Sequence, residues 1–214
     1  DINGGAAIAG YRLHQGLLTQ GIDSRLLVGN SKSNDDKVAK IPNRPRIEAQ
    51  IARVTTRLGL NCIHHINSFD IPKHSFYQEA ELLNFHNLHS TRFSYLAISK
   101  LTQQKPAIWT LHDMWSFTGH CAYSFDCQRW QTGCGKCPYP DTYPAIRRDN
   151  TALEWKLKNW VYSRSNITIV TLSRWLTEQA KKSMLNRFAI HYIPNGIDTD
   201  AYQPIEQQLC RTVL

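Results

Sequence analysis

Four cysteines stand within "GHCAYSFDCQRWQTGCGKCP" (residues 119–138) of this 214-residue sequence: Cys121, Cys127, Cys134 and Cys137. Their spacing is C-x5-C-x6-C-x2-C. Zinc takes four convergent soft ligands, and Cys134-Gly135-Lys136-Cys137 forms a good knuckle because a glycine lets the loop fold around a metal. The other pair is wider than the two to four residues usual in such sites. Two disulfides are a second option, and four free thiols in a loop are the third. A C-x-x-C redox motif opens a helix after a strand, whereas Pro138 and Pro140 follow here at once. Structural zinc is the preferred expectation, and no catalytic metal is expected. A second set of chemistry-bearing residues is dispersed: Gly4 and Gly5, His86 and Asn87 with His89, His112 and Asp113, Ser173 and Arg174, and Asn195 and Gly196.

Periodicity shows what positions these residues. "NGGAAIAGYRLHQGLLTQG" reads as a helix capped by Asn3 and stopped by Gly21, with Ile8, Tyr11 and Leu18 on one face. Ser24 to Val28 reads as a strand, and residues 31–45 as loop. Helical spacing returns over Arg46–Leu60 through Ile47, Ile51, Val54 and Leu58. Apolar strands at 81–87, 107–113, 166–173 and 189–198 alternate with helices at 91–101, from 151 onwards and at 173–184. Thr151 and Glu154 match a capping box, with Leu153, Leu157, Trp160 and Val161 on one face of the helix that follows. Strands apolar on both faces, separated by helices, imply a doubly wound parallel α/β sheet covered on both sides. Such an order normally follows a buried first strand. The chain opens instead at Asp1, without methionine, so a trimmed chain lacking that strand is expected.

In this architecture ligands bind past the carboxyl ends of the strands, and the dispersed residues fall there. Gly4 and Gly5 would let backbone approach a ligand at a helix N-terminus. A dinucleotide site asks for G-x-G-x-x-G and an acidic residue closing the second strand. Here the glycines run G-G-x-x-x-x-G and the strand ends Val28-Gly29-Asn30. That enzyme class is excluded.

The ordered set "DINGGAA", "LHD" (111–113), "VTLSRWL" (170–176) and "IPNGIDTDAYQP" (193–204) resembles the N-terminal half of retaining group 1 (family four) glycosyltransferases. The resemblance covers nearly the whole chain, least clearly at 31–80. It implies the Rossmann-like, acceptor-side half of a two-domain GT-B enzyme of polysaccharide biosynthesis. Residues 1–204 would form that domain and 205–214 the start of a truncated second one. By the same resemblance Gly4 and Gly5 approach the donor diphosphate of a nucleotide sugar, and His112 lies near the reacting sugar. Ser173 and Arg174 face the cleft, Asn195, Gly196 and Asp198 form the hinge, His86 and Asn87 line the acceptor side, and Asp113 is a substrate-binding residue. Ser173 could equally be a plain N-cap, and Asn195-Gly196 an ordinary turn. The donor-binding domain with its paired glutamates is absent from the sequence, so this half alone is expected to be inactive. The cysteine-rich loop (119–140) leaves the strand that ends at His112 and would act as a staple beside the cleft.

Composition bounds the partners. The chain is 42% hydrophobic and 20% charged, as in folded globular proteins, with no apolar run of membrane-spanning length. Lys and Arg number 25 against 17 Asp and Glu, a net +8. Such a charge favours anionic partners, and a lipid-linked or anionic glycan acceptor with peripheral membrane contact fits it. Without a secretion signal a reducing compartment is expected, hence the cytoplasm or the inner face of its membrane. A competing reading joins the metal knuckle, Arg129, Trp130, Lys136 and the net charge into a nucleic-acid-binding protein. The basic residues are spread along the chain rather than clustered, so nucleic acid is not the expected partner.

Overall fold

The computed structural model describes residues 2–89 and 91–213; Asp1, which opens the motif "DINGGAA", Ser90 and Leu214 lie outside it. Helix α1 (Gly5–Thr19) leads to β1 (Leu26–Val28) and β2 (Val38–Lys40), followed by α2 (Pro45–Arg57). Then come α3 (Ser75–Glu79), β3 (Leu83–Phe85), α4 (Ile98–Thr102) and β4 (Ala107–Leu111). After the cysteine loop follow α5 (Thr151–Tyr162), β5 (Ile167–Thr171), α6 (Arg174–Lys181), β6 (Ile190–Tyr192) and α7 (Gln207–Val213). Every strand pairing is parallel. The expected single sheet is divided: β1 pairs with β2, and a second sheet has the order β3-β4-β5-β6. This is the Rossmann-like α/β class. No helix among the described residues is long and apolar enough to cross a membrane.

Local chemistry explains the helix ends. Gly4, not Asn3, occupies the N-cap of α1, with φ 91° and no side-chain cap. Gly21 does stop the helix: at φ 76° it sends its N–H to Leu18 while Ile22 N–H reaches Leu17, the paired pattern of a Schellman ending. Gly59 closes α2 in the same way, at φ 68°, with Leu60 N–H on Thr55 O. Residues 31–45 are not all loop, because Val38–Lys40 is held as a strand by β1. The helix expected over 91–101 is shorter. Ser94 N–H goes to Ser68 Oγ at 2.8 Å, and a 3-10 turn at Tyr95–Ala97 precedes α4.

Three helical faces read from apolar spacing are corrected by the fold. On α1 the buried residues are Gly10 and His14, and Ile8 is exposed. On α2 they are Glu48 and Thr55, whereas Ile47, Val54 and Leu58 are exposed. On α5 Leu153 and Trp160 face water, and Thr151, Glu154, Lys158, Val161 and Tyr162 are buried. The capping box is also absent. Glu154 accepts hydrogen bonds from Asn61 N–H and from Tyr95 Oη, the latter at 2.6 Å. The N-terminus of α5 is served by Asp149, whose Oδ1 accepts from Thr151 N–H at 3.1 Å.

These buried polar groups fasten the segment leaving β4. Lys158 Nζ donates to Trp115 O (2.6 Å) and Thr118 O (3.0 Å) and lies 3.7 Å from the centre of the Trp115 ring. Tyr162 Oη donates to Ser116 O at 2.7 Å. Burial pulls the Lys158 ammonium down to about 8, against the pull of Glu154 one turn earlier, and pushes the Glu154 carboxyl up. The residues that follow His112 are thus held from below by α5. Around them packs a core of β4, β5 and their helices, with Tyr95, Phe117, Ile98, Ile169 and Leu185 fully buried.

Candidate functional site

Two adjoining clefts open at the carboxyl edge of the strands. The larger, of about 580 Å³, runs the full length of β1 and β3 over an apolar floor that includes Ile41, Ile71, Phe93 and Leu101, and reaches the carboxyl edge at Asn3, Gly4, Gly5, Gly29 and Asn30 on one side and His86, Asn87 and Tyr143 on the other. Strands β1 and β3 both border it. The smaller, of about 10 Å³ and with room for no more than a water molecule, is a dimple beside β4 lined by His112, Asp113, Trp115 and Ser116, and it shares His86, Asn87 and His89 with the first. His112 was expected in one cleft with Gly4 and Gly5. It stands one strand further on, because β3 and its terminal His86 lie between.

The two clefts are joined by a histidine pair. His86 Nδ1 and His112 Nε2 are 3.1 Å apart, one donating and the other accepting. Burial is the first cause that lowers both basicities, and His86 falls to about 4 with His112 beside it. Both rings are therefore neutral at neutral pH and offer one acceptor or donor nitrogen each rather than a cation. Trp109 Nε1 donates to His86 O at 3.3 Å, fixing the strand end. On the other face of His86 is Gly10 of α1, where a Cβ would lie 3.4 Å from the imidazole ring. A small residue at this turn of α1 brings the glycine end of the helix beside the histidines. The spacing of apolar residues carried no signal for that contact.

Asp113 has both oxygens engaged. Oδ1 accepts from Trp115 N–H at 2.8 Å, and Oδ2 accepts from His89 Nε2 at 2.7 Å. His89 in turn packs on the Trp115 and Tyr143 rings. Asn87 differs: its Oδ1 is buried and has no hydrogen-bond partner among the described residues. A buried acceptor left unpaired costs about 1–3 kcal/mol, so an incoming hydroxyl would be rewarded there. At Gly4 and Gly5 a Cβ would meet nothing within 4 Å, so the N-terminus of α1 is open to the cleft.

Ser173, Arg174, Asn195 and Gly196 lie past β5 and β6 but line neither cleft. Ser173 Oγ accepts from Leu176 N–H at 3.1 Å and caps α6. Arg174 sits over the Tyr192 ring. Asn195 and Gly196 are exposed in an irregular segment. That segment turns at Asp198, whose Oδ1 accepts from the N–H groups of Asp200 and Ala201. It then returns to α1, where Arg12 donates to Tyr202 Oη at 2.9 Å.

The cysteine loop folds close by. All four of its cysteines are free thiols. Burial raises the Cys121 and Cys137 thiols, and pushes Cys134 up to about 12. Cys134 Sγ accepts from Gly119 N–H at 3.2 Å. His120, which sequence reading passed over, donates from Nδ1 to Pro144 O at 2.9 Å and turns Nε2 to Cys137 Sγ at 3.2 Å. Among the described residues no three His, Cys, Asp or Glu side chains are arranged to hold a metal ion. The loop also presents exposed Tyr123 and Phe125, 5.1 Å between ring centres, with Trp175 of α6 5.7 Å from Tyr123. These aromatics lie in an irregular loop, where periodicity has nothing to say.

Residues 3–201 match the family model for Glycosyltransferase Family 4. Over 160 residues the chain is 32% identical to a protein of Escherichia coli (strain K12) whose name assigns it to colanic acid biosynthesis as a glycosyl transferase, WcaC. That match covers 68% of this chain and 39% of the E. coli protein, so the chain spans well under half of that relative's length.

Proposed function

This chain belongs to glycosyltransferase family 4, and from that premise we propose that it is the acceptor-side half of a retaining GT-B enzyme. The full protein would move a sugar from a nucleotide-sugar donor to a glycan or lipid-linked acceptor. The observation that carries the reading is the polar cluster at the carboxyl end of the larger cleft, where His86 lines the cleft and pairs with His112. The neutral His86–His112 pair and the unpaired Asn87 Oδ1 meet there, beside the open N-terminus of α1. Neutral imidazoles and an amide carbonyl suit sugar hydroxyls, and a helix N-terminus with accessible N–H groups suits a diphosphate.

In this reading Gly4 and Gly5 receive the diphosphate of the donor. His112 orients the reacting sugar, held by His86 and by the segment that Lys158 fastens. Asn87 and His86 bind acceptor hydroxyls, and Asp113 holds the His89 side of the cleft. Ser173 and Arg174 set the start of α6, and Asn195, Gly196 and Asp198 lead to a second domain that begins at about residue 205 and supplies most donor contacts. A further parallel strand ahead of α1 would fit along the gap between β1 and β3, filling its apolar length and leaving the carboxyl end at Gly4, Gly5, His86 and Asn87 as the binding cleft. Transfer depends on a closed, preorganised cleft, so residues 1–214 alone are proposed to be inactive. The remaining part of the proposal is a cytoplasmic protein acting at the membrane face.

An assay of the full-length protein with a panel of nucleotide sugars tests this. Turnover that His112→Ala cuts by about 10²-fold or more, with Asn87→Ala raising KM for the acceptor, is expected. Unchanged turnover in His112→Ala overturns it.

We also propose a structural zinc held by Cys121, Cys127, Cys134 and Cys137. The spacing and the shared loop support it, although the side chains must turn inward to meet the ion. Zinc would deprotonate thiols that burial otherwise keeps neutral. Metal analysis of protein purified without added zinc should give one ion per chain. A value near zero with four titratable thiols removes the proposal.

A further inference from the structure

Helix α2 faces the wrong way for a helix packed on a core. Its buried residues are Glu48 and Thr55, and Glu48 Oε1 accepts from Asn67 Nδ2 at 2.9 Å. Ile47, Val54 and Leu58 are 47%, 57% and 42% exposed, and Ile51 is partly so. At about 100° per residue, Ile47, Ile51, Val54 and Leu58 fall within roughly 60° of arc. Arg46, Arg53 and Arg57, all exposed, form a row about a quarter turn to one side of that stripe. The buried side lies about as far in the other direction.

The basic border continues past the helix end. Arg148 O occupies the space where Gly59 would carry a Cβ, and Asn150 Nδ2 donates to Leu58 O at 3.0 Å. Exposed Arg147 and Arg148 are thereby fixed beside Leu58. Among the described residues Arg46, Arg53 and Arg57 form no ion pair, and Glu48, the sole acidic residue of α2, is buried. An amphipathic helix normally hides its apolar stripe. A narrow apolar stripe edged by arginines, with no exposed acid on the helix itself and with Asp70 and Asp149 only beyond its two ends, is complementary to a surface that is apolar inside and anionic outside. Thirteen residues reach about 20 Å, too short to cross a bilayer but enough to lie in its interface.

We propose that α2 docks the protein on an anionic phospholipid surface. Ile47, Ile51, Val54 and Leu58 enter the acyl boundary, and Arg46, Arg53, Arg57, Arg147 and Arg148 meet the phosphates. This deepens the membrane-face part of the proposed function and rests on it, but it is independent of the catalytic reading, since it concerns neither cleft.

Sedimentation of the full-length protein with vesicles tests it. Binding to phosphatidylglycerol–phosphatidylcholine vesicles is expected, with little to phosphatidylcholine alone and a loss as salt rises. One arginine near such a surface is worth roughly a fivefold factor, so Arg46→Gln, Arg53→Gln and Arg57→Gln together should weaken binding about a hundredfold. Ile47→Ser with Val54→Ser should weaken it at least tenfold while leaving the melting temperature in place. Val54→Trp should shift its fluorescence to the blue on adding vesicles. Vesicle binding that survives both sets of changes, or is absent from the unaltered protein, overturns the inference. So does an oligomer that dissociates on Val54→Ser, which assigns the stripe to a second copy, or equal competition by an oligonucleotide, which assigns the arginines to nucleic acid.

Discussion

Replacing Lys158 by methionine takes away the ammonium that ties α5 to the segment after His112. Two backbone carbonyls, Trp115 O and Thr118 O, lose their donor, and Glu154 loses the positive charge one turn away. Hydrogen bonds to a charged group are worth about 1.5–3 kcal/mol each. Against that gain stands burial of the ammonium, whose pKa falls from 10.5 to about 8, equivalent to roughly 3 kcal/mol at 1.36 kcal/mol per unit. Methionine removes both terms but leaves the carbonyls and a buried carboxyl behind. Breaking a buried charge set from one side costs about 3–5 kcal/mol, and for a domain of this size that lowers Tm by roughly 10 °C. Glu154→Gln in the same background should return at least about 1 kcal/mol, because the stranded carboxyl is then gone. Urea denaturation of the unaltered protein, the two single variants and the double variant measures the cycle.

The same pair has a pH signature. Between about pH 8 and 10.5 the unfolded chain holds a proton on Lys158 that the folded chain has released. The unaltered protein therefore gains stability relative to Lys158→Met as pH rises through that window. Groups away from Lys158 titrate alike in both proteins and cancel in the difference, so the comparison is made with Cys121 and Cys134, whose thiols the Lys158 charge lowers, replaced by serine in both. A Lys158→Met protein that melts within a degree of the parent, or an additive cycle, refutes the reasoning.

Acid should weaken the fold through His86. Its basicity is pulled down to about 4 from 6.5, so from pH 6.5 downwards the unfolded chain takes a proton that the folded chain refuses. Up to about 3 kcal/mol is lost by pH 4, and His86→Gln should flatten that limb of a denaturation-versus-pH profile. Two glycines should respond in opposite directions to alanine. At Gly59 a Cβ would lie 2.1 Å from Arg148 O with φ at 68°, so Gly59→Ala should cost about 3 kcal/mol or more in urea. Gly16, exposed within α1 with nothing within 4 Å of its Cβ position, should gain about 0.5–1 kcal/mol as alanine.

How much of this could be read without coordinates follows from what each feature depends on. The strands at 107–111 and 167–171 are apolar on both sides because a central strand of a parallel sheet is covered on both sides. A local pattern therefore disclosed their place. Gly21 stopped α1 as read, since a left-handed backbone residue leaves its signature in the residue type. The polar strand ends His86, Asn87, His112 and Asp113 were legible as an edge for the same reason. The helix faces were not. Apolar periodicity says that a stripe exists, but whether the core takes that stripe or its neighbour depends on partners far along the chain. For Glu154 and Lys158 the partners are Asn61, Tyr95, Trp115 and Thr118, and they make a polar face the buried one. On α2 the hydrogen bond from Asn67 to Glu48 does the same, and the apolar stripe is left outside. The separation of His112 from the glycine cleft was likewise decided by tertiary structure. His86 stands between them, packed on Gly10 of α1 on one side and paired with His112 of the neighbouring strand on the other, and such long-range contacts are encoded in no local stretch of sequence.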